Sequence, residues 1–476
     1  AAAGAQPVAV PGVPGSAPGA EGVPHDGAIG RAGLGAQVSA AASVIASASA
    51  SAPAPAPAPA RAPAPTPTAA PASTSFRIAP RAYGDRPSVA ELTTLGRALF
   101  MDASLSSSSR VACATCHQPA YGFGPGPAAA SPFDDGDPAH RGTRAIPQLR
   151  YAQYAPRFTE HYIDDEDGLG VDAGPTGGLT WDGRRDTVHD QARIPLFAAE
   201  EMGNTDDASL AARVARAPYA SAFRSAVSPP GGDVFADPTR VVAWMAYALE
   251  VYQEGAEFAP FSSQWDRVLA GRAQLTAAEQ RGYALYVDAE KGNCDSCHPS
   301  RRKATGSAPL FTDAGFVVAA PPRRAGLPSP SASAAAASAD TYAHAPSPFA
   351  RDYDLGLCQS GRPGLTPDAS FCGRFRAPSL RNVAVRPSFF HNGSLHSLRD
   401  VVAFYATRDT DPARWYGRNA DGSPRPYDDL PPALRPFVDH EVPFEPRADG
   451  RPRLTDAEID DIVAFLGTLT DADLVQ

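Results

Sequence analysis

"CATCH" (113–117) and "CDSCH" (294–298) decide how this chain is read. Each is a C-x-x-C-H run, in which two thiols bond the edge of a porphyrin and the following histidine ligates the iron. Cys113, Cys116, Cys294 and Cys297 are then covalent anchors, with His117 and His298 as proximal ligands. The competing reading joins two C-x-x-C halves into one zinc site. Zinc does not need a histidine directly after each second cysteine, yet both copies have one. Two covalently bound haems c are therefore expected.

Each motif follows the same kind of helix start. Ser88 with Glu91, and Thr276 with Glu279, form S/T-x-x-E capping boxes leading into "LTTLGRALFMD" and "QRGYALYVD". Helix, short loop and C-x-x-C-H are thus written twice, the sign of two similar modules. A third box, Thr455 with Glu458, opens "DAEIDDIVAFLGTL", where Ile459, Ile462, Val463, Phe465 and Leu466 make one apolar stripe. It is expected to close the second module. Many prolines and turn signals, with few alternating runs, predict an all-α, loop-rich fold. The domain boundaries expected are 76–262 and 263–476, one haem domain each. Residues 1–75, rich in Ala and Pro, read as a disordered tether, and "LPSPSASAAAASAD" (327–340) as a loop insertion.

The 476 residues carry 42 basic and 52 acidic side chains, a net charge of −10, which argues against a nucleic-acid partner. No apolar run of about 18 residues appears, so no membrane span is expected. The opening "AAAGAQPVAV" suits a mature product cut after small residues, which together with the haem motifs points to the periplasm. In such an oxidising compartment Cys358 and Cys372 are expected to form a disulfide, worth roughly 3 kcal/mol.

The far side of the second iron is the open question. Met101, Met202 and Met245 all precede Cys294, so the methionine usual in electron carriers is missing downstream. His344, His391, His396, His440 and several tyrosines remain. Ser397 caps a helix through Val401, Val402, Phe404 and Tyr405, and pattern alone makes Tyr405 core packing. By residue type, His391 is the better ligand. Between the motifs, "GLTWDGRRDTVHDQARIPLFAAEEMGN" (178–204) separates carrier from enzyme. A carrier fills both axial positions, whereas a peroxidase leaves one iron open beside a group that moves a proton. Thr187 or Asp186 caps a short helix over 188–193, which Pro195 ends. By spacing alone Glu201 reads as a solvated glutamate and Trp181 as core.

Residues 80–470 resemble the bacterial di-haem cytochrome c peroxidase/MauG family. The resemblance rests on "CATCH", "WDGR", "DQARIP", "EEMGN", "CDSCH", "FRAPSLRNVA" and "FFHNGS", in that order. It implies two cytochrome c-like domains with facing haems and Trp181 between them. It implies a distal pocket of Gln191, Pro195 and Glu201, with Glu201 as the acid–base group. It places Tyr405 on the His298 iron, as in the MauG-like branch, where the peroxidases carry methionine. The implied activity is reduction of hydrogen peroxide to water, with high-valent iron shared between the haems. Electrons would come from a small periplasmic cytochrome or cupredoxin. The alternatives are MauG-like oxidation of a protein substrate, or a di-haem electron-transfer protein without peroxidase activity. Relatives also hold calcium between the haems through an asparagine. Here "RAIPQ" (144–148) puts Ala145 there, leaving calcium only the carbonyls near Arg386 and Ser388. His140, the one nearby candidate for a loop ligand, is out of register and reads as a surface residue.

Overall fold

Ser88, Thr276 and Thr455 each accept the backbone N–H of the glutamate three residues on, and each glutamate takes the N–H of its cap. All three capping boxes therefore form. This computed structural model describes residues 87–127, 142–164, 171–302, 306–324, 353–366 and 368–475. The expected tether (1–75), the insertion (327–340), His140 and His344 lie outside them. In chain order the principal helices are α1 (Val89–Met101), α2 (Val188–Phe197), α3 (Asp207–Val214), α4 (Ala220–Val227), α5 (Pro238–Gln253), α6 (Gln264–Leu269), α7 (Ala277–Val287), α8 (Leu398–Thr407) and α9 (Asp456–Gly467).

Helix α5 is the spine of the first core. It buries Val241, Val242, Met245, Ala248, Leu249 and Tyr252, and α1, α2 and α3 pack on it. The buried members of this cluster run from Leu92 to Phe258. Those of the second run from Trp265 to Leu469, where α9 packs on α7 and α8. The stripe read from the sequence supplies this contact, with Ile459, Ile462, Phe465 and Leu466 buried and Val463 packed at the edge.

The two cores repeat one packing device. A side chain on Gly96 of α1 would run into the Ala248 carbonyl of α5. One on Gly282 of α7 would run into the Asp461 carbonyl of α9. Only a residue without Cβ lets the backbones come so close, and the obstacle is main chain, which cannot swing aside. Gly282→Ala is expected to cost about 1–3 kcal/mol, the range for overpacking, seen as a lower urea midpoint.

The expectation of an all-α chain needs one correction. The fold is mostly helical, but two short antiparallel pairs are present: β1 (Ile163–Asp164) with β2 (Val171–Asp172), and β3 (Phe316–Val317) with β4 (Phe375–Arg376). Strands of two residues are too short to show alternation. Cys358 and Cys372 are disulfide-bonded as expected, with Cα atoms 4.9 Å apart. No described helix is long and apolar enough to cross a membrane. Asp471 ties the second core to the first. It accepts the Tyr151 hydroxyl at 2.7 Å, Arg150 at 3.0 Å and the Asn382 amide at 2.8 Å.

Candidate active site

Both C-x-x-C-H runs adopt a tight turn that presents the histidine. His298 Nδ1 donates to the Phe311 carbonyl at 2.8 Å, and His117 Nδ1 to the Phe123 carbonyl at 3.2 Å. That bond fixes the tautomer and leaves Nε2 with a lone pair to offer a metal. Burial favours the neutral ring in both, pushing His117 down to about 4 and lowering His298. Cys294, Cys297 and His298 open onto a largely apolar cavity of about 290 Å³, which Trp181, Tyr405 and His391 also line.

The two ligand candidates in that cavity are not equivalent. The His391 ring stacks flat on Phe375 at 3.5 Å, and its Nε2 lies 3.2 Å from the Asp429 carboxylate. That approach lacks hydrogen-bond geometry, so Nε2 lies beside the carboxylate without being bonded to it. Tyr405 leaves α8 toward the cavity, its ring stacked on Phe444 at 4.8 Å. Burial raises its phenol, and the nearness of Cys297 and Cys294 raises it further. His396 and His440 are exposed, bonded to the Pro387 carbonyl and to Asp409.

On the first module, Thr187 is the cap of α2, and Asp186 instead pairs with Arg362. The helix does not stop before Pro195, as expected, but continues to Phe197. A proline in the last turn forfeits one hydrogen bond, and the chain repairs the end otherwise. The Met202 N–H donates to the Pro195 carbonyl at 3.1 Å, and the Asn204 amide to the Leu196 carbonyl at 2.9 Å. The "EEMGN" run is thereby folded back against the helix. Gln191 and Pro195, four residues apart, share one helical face. Glu201 sits in the returning loop, near enough to Cys113 to perturb its thiol. Burial, helped by Glu200 and opposed by Arg184, pushes the Glu201 carboxyl up to about 7. Glu201 is half-buried, not the solvated glutamate that spacing alone suggested.

Trp181 is buried, its Nε1 donating to the Ala145 carbonyl at 2.8 Å. Behind it Asp182 is fully buried between Arg144 (2.7 Å) and Arg184 (2.5 Å), which hold its carboxylate well below the usual range. Arg144 also takes Asp354 at 2.6 Å. This network was not read from the sequence. Only the adjacency of "DGRR" hinted at it, and its other partners are far away in the chain.

The family model for di-haem cytochrome c peroxidases matches residues 90–274. Over 409 residues the chain is 33% identical to methylamine utilization protein MauG of Paracoccus denitrificans, spanning 84% of this chain and 94% of that protein. The chain belongs to the di-haem cytochrome c peroxidase family. Its fold is similar to the diheme peroxidase BthA from Burkholderia thailandensis E264, with a TM-score of 0.67, 39% identity, and coverage of 82% of this chain and 87% of that one. It is also 27% identical to cytochrome c551 peroxidase of Pseudomonas aeruginosa, over 65% of this chain and 70% of the relative. The family is one of peroxide-reducing oxidoreductases with two haem cofactors.

The residues present fit a haem in the second module. A cavity with apolar walls, two thiols and an imidazole with one nitrogen already bonded suits a porphyrin and its iron. They do not fit calcium. Ala145 brings no side-chain oxygen, its N–H donates to the His391 carbonyl at 2.6 Å, and its own carbonyl takes Trp181.

Proposed function

We propose that this di-haem peroxidase is built from two haem domains, 76–262 and 263–476, and reduces hydrogen peroxide in the periplasm at the His117 side. Glu201 carries the reading: a half-buried carboxyl whose proton affinity is raised to about 7, near the first cysteine anchor, is poised both to take and to return a proton. Cys113, Cys116, Cys294 and Cys297 would hold two haems through thioethers, and these would supply the iron and the electrons that peroxide reduction needs. Glu201 takes the proton from the near oxygen of peroxide and returns it to the departing one. Gln191 orients the peroxide by hydrogen bonding, and Pro195 keeps that face of α2 without a competing N–H. Two electrons and two protons turn each peroxide into two waters. A small cytochrome or cupredoxin is the expected donor.

Tyr405 is assigned to the iron of His298: it lines that cavity, whereas the His391 ring is stacked flat on Phe375 with Asp429 beside it. Trp181 lines that haem's cavity from the first module and serves as the relay between the two sites. An oxygen ligand stabilises the oxidised metal, which favours sharing of oxidising equivalents over both haems. That same feature supports a second reading, MauG-like oxidation of a protein side chain.

Intact-mass measurement of the periplasmic protein is expected to show two added haems that acid-acetone does not extract. Its resting EPR spectrum should contain a high-spin ferric signal that changes on adding peroxide. A haem-free mass with bound zinc would end the proposal, and two low-spin irons inert to peroxide would leave an electron carrier.

A further inference from the structure

The arginines buried in this fold nearly all face a carboxylate. Arg150 pairs with Asp471, Arg362 with Asp186, Arg381 with Asp266 and Arg408 with Asp409. Arg144, only a fifth exposed, holds two. Arg376 and Arg386, half-buried with their guanidinium groups toward a cavity, differ. Both line the cavity of the second C-x-x-C-H motif, and no described carboxylate lies within ion-pairing distance of either. The Arg376 guanidinium donates to the Thr180 carbonyl at 3.2 Å, and that of Arg386 only weakly to the Ile146 carbonyl at 3.4 Å. Loss of water pushes both down to about 10, with distant Asp313 the one acid acting on Arg376 and none on Arg386. Arg374, on the same wall, is different: it spends its guanidinium on the carbonyls of Ser370 and Phe316.

A guanidinium even partly withdrawn from water without a counter-charge is destabilised, so such groups normally find an anion. Two of them face one cavity, which Trp181 also lines. The Arg376 N–H donates to the Trp181 carbonyl at 2.8 Å, and the Arg386 guanidinium sits 5.9 Å from the centre of its ring. A haem brings two carboxylates on one edge of its ring. We propose that Arg376 and Arg386 each seat one carboxylate of the second porphyrin, setting its carboxylate edge toward Trp181. This rests on the cavity being a haem site. Bidentate geometry suits the pairing, since a guanidinium matches a carboxylate fork to fork. Arg386 acts through the cofactor's electrostatics and position, not on peroxide.

The test compares Arg386→Met and Arg386→Lys in the holoprotein, reading haem content by mass and the midpoint potential of the His298 haem. Removing a fixed positive charge beside ferric iron stabilises the oxidised state. The Met variant should keep two haems, while its ferrous-to-ferric ratio at a set potential falls about tenfold, or about 59 mV for one electron. Lysine, which keeps the charge but loses the fork, should recover most of that shift. Should the Met variant fail to fold, Arg386→Gln reads the same potential with polarity retained. Two bound haems with an unmoved potential in the uncharged variant would overturn the proposal. A wild-type protein without a second haem would instead overturn the reading beneath it.

Discussion

Glu201→Gln turns peroxide over at least ~10²-fold more slowly than the wild type, with both haems still attached. The exchange keeps the size of the side chain and removes its ability to cycle a proton. The cost falls on chemistry because, among the described residues, Glu201 makes no ion pair that the exchange would break, although Arg184 and Glu200 act on its charge from nearby. Its raised proton affinity gives a second signature. Below about 7 the carboxyl is protonated and cannot accept the peroxide proton, so the wild-type rate climbs as pH rises through that value. In the Gln variant this limb disappears and the residual rate is flat. Stopped-flow mixing with peroxide across pH 5 to about 9 checks both features. Wild-type rates in the variant would return Glu201 to an ordinary glutamate.

Replacing Tyr405 with methionine raises the midpoint potential of the His298 haem by on the order of 0.1 V or more, axial ligands being the strongest tuners of such centres. A thioether favours ferrous iron, and an anionic oxygen favours ferric and higher states. Burial works against ionising the Tyr405 phenol in the protein alone. A cationic metal opposite is what would reverse that preference. Tyr405→Phe separates ligation from packing, since the ring still stacks on Phe444 while the oxygen is gone. That haem should then become high-spin. If neither variant changes the spectrum or potential, Tyr405 is a packing residue and His391→Gln becomes the decisive comparison.

What was legible in the sequence was local. Capping boxes act across three residues, C-x-x-C-H across five, and the disulfide pairs two nearby cysteines left over in an oxidising setting. The three capping boxes and the disulfide formed as read. The end of α2 was misjudged because Pro195 was read without the returning loop that completes it. The choice between His391 and Tyr405 could not come from residue type. It turns on the surroundings of His391, which Phe375 stacks on and Asp429 approaches only once the chain has folded. The same holds for Arg144, whose partner Asp354 lies 210 positions away. Gly96 and Gly282 did leave a trace, at matching places in "LGRALF" and "RGYALY". It is recognisable only when helix crossing, rather than helix propensity, is considered.

The clasp at Asp471 bears on the order in which the protein matures. Tyr151 meets its acceptor only after 320 further residues have been laid down, so the first core cannot be locked while the chain is still emerging. Closing so long a loop carries an entropic cost that earlier contacts must offset. Until then the first module is held by its own helices. A fragment ending near residue 262 would thus resemble a nascent stage rather than a finished half, and the final latch would arrive with the last turn of the second module.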